Sequence, residues 1–136
     1  MKYEISKRIE AAESSWNDGT HNAIVRSFDI ANDDHGFLSG CLHVNYGTSA
    51  QGWGGFRLDH RDKDEDVNRP SKVCGAFIAA VLEITGANSV HSVAGRPIRV
   101  RKENGLISHI GHFLDDQWFS LKEWCDENID SGEDES

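Results

Sequence analysis

The stretch SKVCGAFIAAVLEITG, residues 71–86, lies near the middle of the chain and predicts its one long helix. Its large apolar side chains recur at helical spacing on one stripe, at Val73, Phe77, Val81 and Ile84. Ser71 can cap the first turn by accepting a hydrogen bond from a free N–H, and Gly86 can end the last turn. We therefore expect a helix from about residue 72 to residue 85 that packs one face against a sheet.

Three runs of residues before this helix predict strands. The first run begins near Asn22 and sets Ile24, Phe28 and Ile30 on one face. The second run sets four apolar side chains on one face, at Leu38, Leu42, Val44 and Tyr46. The third run, residues 51–59, contains three glycines, which are typical of a bulged strand or of a close approach by another group. Residues 60–71 are almost all polar and predict a surface loop.

Two more runs follow the helix and predict a second hairpin. Residues 96–102 alternate apolar and basic side chains, residues 103–105 (Glu-Asn-Gly) are typical of a turn, and residues 106–113 return. The order β-β-β-α-β-β predicts a single α+β domain over residues 1–125. Its sheet should be mostly antiparallel, with about five strands packed by one main helix.

The two ends of the chain carry separate signals. Residues 3–16 predict an N-terminal helix from an apolar stripe at Ile5, Ile9, Ala12 and Trp16. A short C-terminal helix is predicted from an apolar cluster at Trp118, Phe119, Leu121 and Trp124. Residues 126–136 hold six acids and no base, so we expect a disordered, solvated tail.

Charge and composition disfavour several classes of protein. The formal charge of the chain is −9, but residues 1–125 carry 17 acids and 14 bases, so the tail holds most of the excess. A mildly acidic body argues against direct nucleic-acid binding, which needs a basic face. No apolar stretch is long enough to span a membrane, and the three separated cysteines favour free thiols. We expect a protein of a reducing cytoplasm.

No sequence pattern indicates catalysis, so we expect neither an enzyme nor a cofactor. The chain has no Gly-x-Ser-x-Gly elbow, and its cysteines carry no signature of a catalytic thiol. The string His-Ile-Gly-His at 109–112 matches a nucleotidyltransferase signature in letters, but it lies in a late hairpin strand instead of before a helix. We also expect no metal site, and a metal-assisted hydrolase that uses His43, His60 and His112 remains an alternative.

Two basic and aromatic segments supply the candidate binding residues. In the glycine-rich run, Trp53 and Phe56 offer flat rings for stacking, and Arg57 offers a planar set of donors for phosphate or carboxylate. The alternative that Trp53 lies in the core of a bulged strand stays open. Arg99 and Arg101 share one face of a predicted strand, where they either pair with acids of the loop at 60–66 or bind an anion.

A set of short motifs in fixed order resembles a family of small phage and prophage proteins of unassigned role. The motifs, within residues 22–120, are Asp34-His35-Gly36, Leu42 to Gly47, Gln51 to Gly55, Gly75 to Gly86, Gly95 to Arg101, Ile110-Gly111-His112 and Asp116 to Phe119. The chain is also similar to Thoeris anti-defence sponges, which are oligomers that trap a cyclic ADP-ribose-type signal without cleaving it. This resemblance implies a phage-encoded counter-defence protein of the host cytoplasm that sequesters a nucleotide as a homo-oligomer.

Side-chain chemistry then assigns the roles within such a site. Arg57, Arg99 and Arg101 would contact phosphate, while Trp53 or Phe56 would stack on the base. An alternative of a different class is an inhibitor of a host defence protein, similar to an anti-CRISPR. In that case the acids at 59–66 and 126–135 would imitate the phosphates of DNA.

Overall fold

A long helix packs against one face of a curled antiparallel sheet in the computed structural model, which describes residues 18–32 and 36–129. The elements in chain order are β1 (Gly19–Asn32), β2 (Leu38–Tyr46), β3 (Ser49–Arg57), β4 (Asp59–Asp62), β5 (Val67–Pro70), α1 (Lys72–Thr85), a 3-10 turn (Val90–Ser92), β6 (Pro97–Glu103), β7 (Leu106–His112), β8 (Trp118–Phe119) and α2 (Leu121–Asn128). The predicted N-terminal helix, residues 3–16, lies outside the described residues.

The main sheet has six strands in the order β3-β2-β1-β6-β7-β8, and every neighbouring pair is antiparallel. The predicted α+β class and the antiparallel sheet are therefore confirmed. The predicted strand number is too low by one, because β8 is only two residues long and shows no alternation. Trp118 and Phe119 form this strand, and not the start of the C-terminal helix as predicted.

The sheet curls until its two edge strands approach each other. Gln51 on β3 donates from Nε2 to the carbonyl of Gly105 in the β6–β7 turn at 3.3 Å. The rings of Trp53 on β3 and Phe119 on β8 lie 6.0 Å apart. Helix α1 fills the concave side, where the ring of Phe77 stacks on Trp53 at 5.3 Å. The face of the sheet that points away from α1 is called the convex face below.

Helix α1 begins and ends where the sequence predicts. Its apolar stripe is buried, and Gly86 takes the left-handed conformation that ends it, with φ 70°. The predicted role of Ser71 is wrong, because its side chain accepts no hydrogen bond from the helix. The buried hydroxyl of Ser71 instead donates to the carbonyl of Leu58 at 3.1 Å, which fixes the entry of the chain into α1.

A bulge in β1 overturns the predicted face of Ile24. The pairing with β2 shifts by one residue between Val25 and Ser27, so Arg26 is the extra residue. Before the bulge the core side is Val25, which is 1% exposed, while Ile24 is 48% exposed. Beyond it, Phe28 packs against the core as predicted. One inserted residue reverses the two faces because side chains alternate with a period of two.

The segment predicted as a surface loop is instead a small hairpin, in which β4 and β5 pair antiparallel. Its strands carry charges on both faces, so no apolar alternation marks them in the sequence. Ion pairs join the strands and their turn: Arg69 Nε contacts Asp62 at 2.9 Å and its Nη2 contacts Glu65, while Arg61 contacts Asp66.

The predicted C-terminal helix, α2, is confirmed, but it begins at Leu121 and not at Trp118. Ser120 caps it by accepting a hydrogen bond from the N–H of Glu123 at 3.3 Å. The helix continues through Asn128, so it includes the first three residues of the segment that the sequence assigns to the acidic tail. Residues 130–136 lie outside the described part of the chain. Neither described helix is long and apolar enough to cross a membrane.

Candidate functional site

A tryptophan lies flat on the convex face because the strand beneath it has a glycine. Gly111 of β7 pairs with Trp118 on one side and with Arg99 on the other. A Cβ atom on Gly111 would lie 2.5 Å from Cε3 of Trp118, which is too close for any side chain. The absent side chain therefore leaves the space that the indole ring occupies, and Trp118 Nε1 donates to Asp116 at 3.1 Å.

Two guanidinium groups contact this ring. The Cζ atoms of Arg99 and Arg101 lie 4.8 Å and 4.4 Å from the centroid of Trp118, within the range of cation–π attraction. Alternation along β6 sends Arg99 and Arg101 to the convex face, since the alternate residues Ile98 and Val100 face the core. We call Arg99, Arg101 and Trp118 the arginine–tryptophan cluster.

The two arginines of this cluster differ in their hydrogen bonds. Arg99 donates from Nε to the carbonyl of His112 at 2.9 Å and from Nη2 to the carbonyl of Asp115 at 2.7 Å. Arg99 thus holds the β7–β8 loop in place. Within the described residues, the guanidinium of Arg101 has no hydrogen-bond acceptor and no acidic partner, and its contact is with the ring of Trp118. The donors of Arg101 are therefore available to an anion.

Arg57 lies at the end of β3 and belongs to a different arrangement. Its Nε donates to Asp59 at 2.8 Å, and its Cζ lies 4.0 Å from the ring centroid of Phe37. Asp59 is buried and also accepts the N–H of Leu38 at 2.9 Å. Burial alone raises the pKa of Asp59, but the Leu38 N–H and the Arg57 guanidinium together hold that pKa below its usual value. Arg57 therefore stabilises the fold through an ion pair.

The prediction that Trp53 offers an open ring to a ligand is wrong. Trp53 is 2% exposed, and its ring is packed between Phe77 at 5.3 Å and Phe56 at 5.2 Å. Phe56 is partly buried and meets both rings edge-on. The five predicted binding residues thus separate into a core pair, a structural ion pair at Arg57, and the two arginines on the convex face.

The glycines beside Trp53 are explained by contacts inside the molecule. A Cβ on Gly52 would lie 3.0 Å from the sulfur of Cys41. Gly54 has φ 141°, and a Cβ there would lie 2.6 Å from the carbonyl oxygen of Gly40 at the bulge between β2 and β3. The group that approaches this strand closely is therefore β2 itself.

The histidines are spread over several elements. His43 lies on β2, His60 on β4 and His112 at the end of β7. Among residues 18–32 and 36–129, no group of three His, Cys, Asp or Glu side chains is placed to hold a metal ion. The metal-assisted hydrolase therefore has no geometric support in this part of the chain.

Sequence reasoning missed Trp118 as a member of the site. The alternation of β6 identifies Arg99 and Arg101 as neighbours, but nothing in the sequence pairs Gly111 with Trp118. Comparisons with family models, curated proteins and solved structures gave no match for this chain. The class of protein that fold and site define is thus an α+β domain with a cationic and aromatic cluster on its convex face.

Proposed function

We propose that the protein binds a phosphate-bearing, nucleotide-type ligand at the arginine–tryptophan cluster and holds it without chemical change. The observation that carries the proposal is the position of Arg101, whose guanidinium lies on Trp118 and meets no acceptor among the described residues. Arg99 supports it by fixing the adjacent loop. Phosphate is a strong acceptor for a planar guanidinium, and a base can stack on the same plane.

The biological role that we propose is counter-defence in a phage-infected cell. The resemblance to small phage proteins and to Thoeris sponges supports it, and binding without cleavage is what such a role requires. We further propose that the protein acts in the host cytoplasm as a homo-oligomer, since pockets of small domains are commonly completed between subunits.

Isothermal titration tests the binding proposal with cyclic ADP-ribose isomers, cyclic oligonucleotides and inorganic phosphate as probes. Arg101→Gln removes the charge and leaves a shorter, polar side chain, and we expect at least a roughly tenfold weaker Kd, since charge-assisted hydrogen bonds contribute about 1.5–3 kcal/mol. Arg26→Gln is the matched control, because it removes the same charge from an exposed position of β1. Absence of heat with every probe, or equal binding by the two variants, contradicts the proposal.

The alternative of a protein inhibitor that imitates DNA gains little from the acidic hairpin. Asp62, Glu65 and Asp66 are paired with arginines of the same hairpin, which reduces the net negative charge of that surface. The acids of residues 130–135 would then carry the mimicry. Removing residues 130–136 distinguishes the two proposals, because a nucleotide sponge keeps its affinity and a charge mimic loses its inhibition.

A further inference from the structure

A serine, a histidine and a glutamate form a continuous hydrogen-bonded line beside helix α2. Ser108 Oγ lies 2.7 Å from His109 Nδ1, and His109 Nε2 lies 3.1 Å from Oε1 of Glu123. Ser108 is the bulged residue of β7, opposite Arg101 and Lys102. His109 is 8% exposed, so its ring is held in one place. We call Ser108, His109 and Glu123 the serine–histidine–glutamate cluster.

The proton positions in this line follow from its partners. A carboxylate only accepts hydrogen bonds, so Nε2 of His109 is the donor to Glu123, and in the ring that carries one proton Nδ1 is left as an acceptor. The lone pair on Nδ1 then accepts the hydroxyl proton of Ser108. The competing acceptor for that proton, the carbonyl of Arg101, is further away at 3.1 Å. This is the arrangement of a nucleophile, a general base and a group that orients the base.

The three residues line a cavity of about 320 Å³. Its apolar wall is built from Trp53, Phe56, Ile107 and Leu121. Helix α2 begins at this cavity, and no hydrogen bond to the N–H groups of Leu121 and Lys122 is found within the described residues. Unpaired N–H groups in a first helical turn, at the positive end of the helix dipole, can stabilise an oxyanion.

We propose that this cluster is an acyl-transfer site that hydrolyses small esters. Ser108 Oγ forms a bond to the acyl carbon while His109 Nδ1 takes the hydroxyl proton. The bond from that carbon to the leaving oxygen breaks, and the departing alcohol takes the proton from His109. Water then bonds to the acyl carbon while His109 Nδ1 takes one of its protons, the bond from that carbon to Ser108 Oγ breaks, Oγ takes the proton from His109, and a carboxylic acid leaves.

The lining of the cavity narrows the substrate class. Its apolar wall and modest volume suit a short, uncharged acyl chain. Three acids and one base line the cavity (Glu103, Glu123 and Asp126 against Lys122), so its lining is net negative and disfavours an anionic ester. Glu123 is a positioning residue that orients the ring of His109. Because the side chain of Glu123 is 65% exposed, solvent screens its charge. The activity goes beyond the proposed binding function and uses a different set of side chains.

A fluorophosphonate bearing a short alkyl chain tests the nucleophile directly in the full-length protein. We expect it to modify Ser108 of the folded protein, located by mass spectrometry of peptides, and to leave heat-denatured protein unmodified. Hydrolysis of 4-nitrophenyl butyrate gives the second readout. Loss of the nucleophile or of its positioned base costs about a hundredfold or more, so Ser108→Ala and His109→Gln should each lower kcat by at least that factor. Glu123→Gln should lower it by only a few-fold.

Ser27→Ala is the matched control, because Ser27 lies next to the bulge of β1, as Ser108 lies at the bulge of β7, and it pairs with His43 of β2. It should retain the full rate. The proposal is overturned if the reagent modifies other residues or none, or if Ser108→Ala hydrolyses the ester as fast as Ser27→Ala. Should Ser108→Ala fail to fold, the site of modification in the unaltered protein decides. Nucleotide titration of Arg101→Gln is independent of all these outcomes.

Discussion

Gly111 carries a hydrogen atom in place of a side chain, which leaves room for the ring of Trp118. This position therefore determines where Trp118 lies on the convex face. The nearest ring atom lies 2.5 Å from where a Cβ would stand, so Gly111→Ala must displace the indole. We expect a loss of about 1–3 kcal/mol in the free energy of unfolding, as for other overpacked sites. We also expect weaker anion binding, because Arg101 loses the ring that supports it.

Denaturant unfolding and ligand titration of Gly111→Ala check both effects. Trp118→Phe is the companion variant, since it keeps a ring but removes the donor to Asp116. If Gly111→Ala binds ligand as well as the unaltered protein, Trp118 has no part in the site.

The buried carboxylate of Asp59 gives the protein a defined acid sensitivity. Its pKa in the folded state is lowered, as are those of Asp18 and Asp62. A lowered pKa adds stability that is present above the unfolded value of about 4 and is lost as pH falls through the folded value. We therefore expect the free energy of unfolding to decline as pH falls below about 4.

Asp59→Asn isolates this contribution. It should cost about 1–3 kcal/mol at neutral pH, because Arg57 loses its charged partner, and it should lose less stability on acidification than the unaltered protein. Denaturant titrations at several pH values from about 3 to about 7 measure the free energy of unfolding of both proteins across this range. Parallel profiles for the two proteins would show that Asp59 does not carry the effect.

At the scale of the elements, uninterrupted periodicity explains what the sequence could predict. Helix α1 has no insertion in its apolar stripe, and its bounds match the prediction. The strands carry bulges at Arg26, Gly55 and Ser108, and each one shifts the alternation by one residue. Residue alternation thus located the strands, but it placed Ile24 on the wrong face.

The charged hairpin and the two-residue strand β8 were not predicted, because neither has an apolar period in the sequence. The β4–β5 hairpin is joined by ion pairs between arginines and acids, which have no period that a sequence pattern could reveal. Two of the three residues of the arginine–tryptophan cluster were predictable, because Arg99 and Arg101 are two apart on one strand. The third, Trp118, depends on the pairing of β7 with β8, which is a tertiary contact.

Gly75 offers an independent test of helix α1 as an element. It lies in the first half of the helix, it is exposed, and nothing lies within 4 Å of the position that a Cβ would take. Gly75→Ala should therefore stabilise the protein by about 0.5–1 kcal/mol, because alanine loses less backbone entropy in a helix. A shift of the urea midpoint to lower concentration would contradict this account of the helix.

For the whole molecule, curling of the sheet separates two kinds of surface. The concave side holds the core with α1, and the cavity with the serine–histidine–glutamate cluster lies between β7 and α2. The convex face carries the arginine–tryptophan cluster. A ligand on the convex face therefore need not disturb the core.

Trp53 links the parts of this curled sheet, so its removal tests the architecture as a whole. Its ring joins edge strand β3 to Phe77 of α1 and to Phe119 of β8, the opposite edge. Trp53→Ala should cost about 3–5 kcal/mol, as for other large aromatic residues in a core, which is a large share of the stability of a typical domain. Trp53→Phe should cost much less, because it keeps a ring at the contact.

Hydrogen exchange of Trp53→Ala shows whether the loss of stability is confined to one edge of the sheet or reaches both edges. We expect the amides of β3 and of β7, where it pairs with β8, to lose protection together in Trp53→Ala, since one ring contacts both ends of the sheet. Loss of protection in β3 alone would mean that the edges are held independently. Anion binding by Arg101 should persist in Trp53→Phe, because the convex face does not depend on the ring of Trp53.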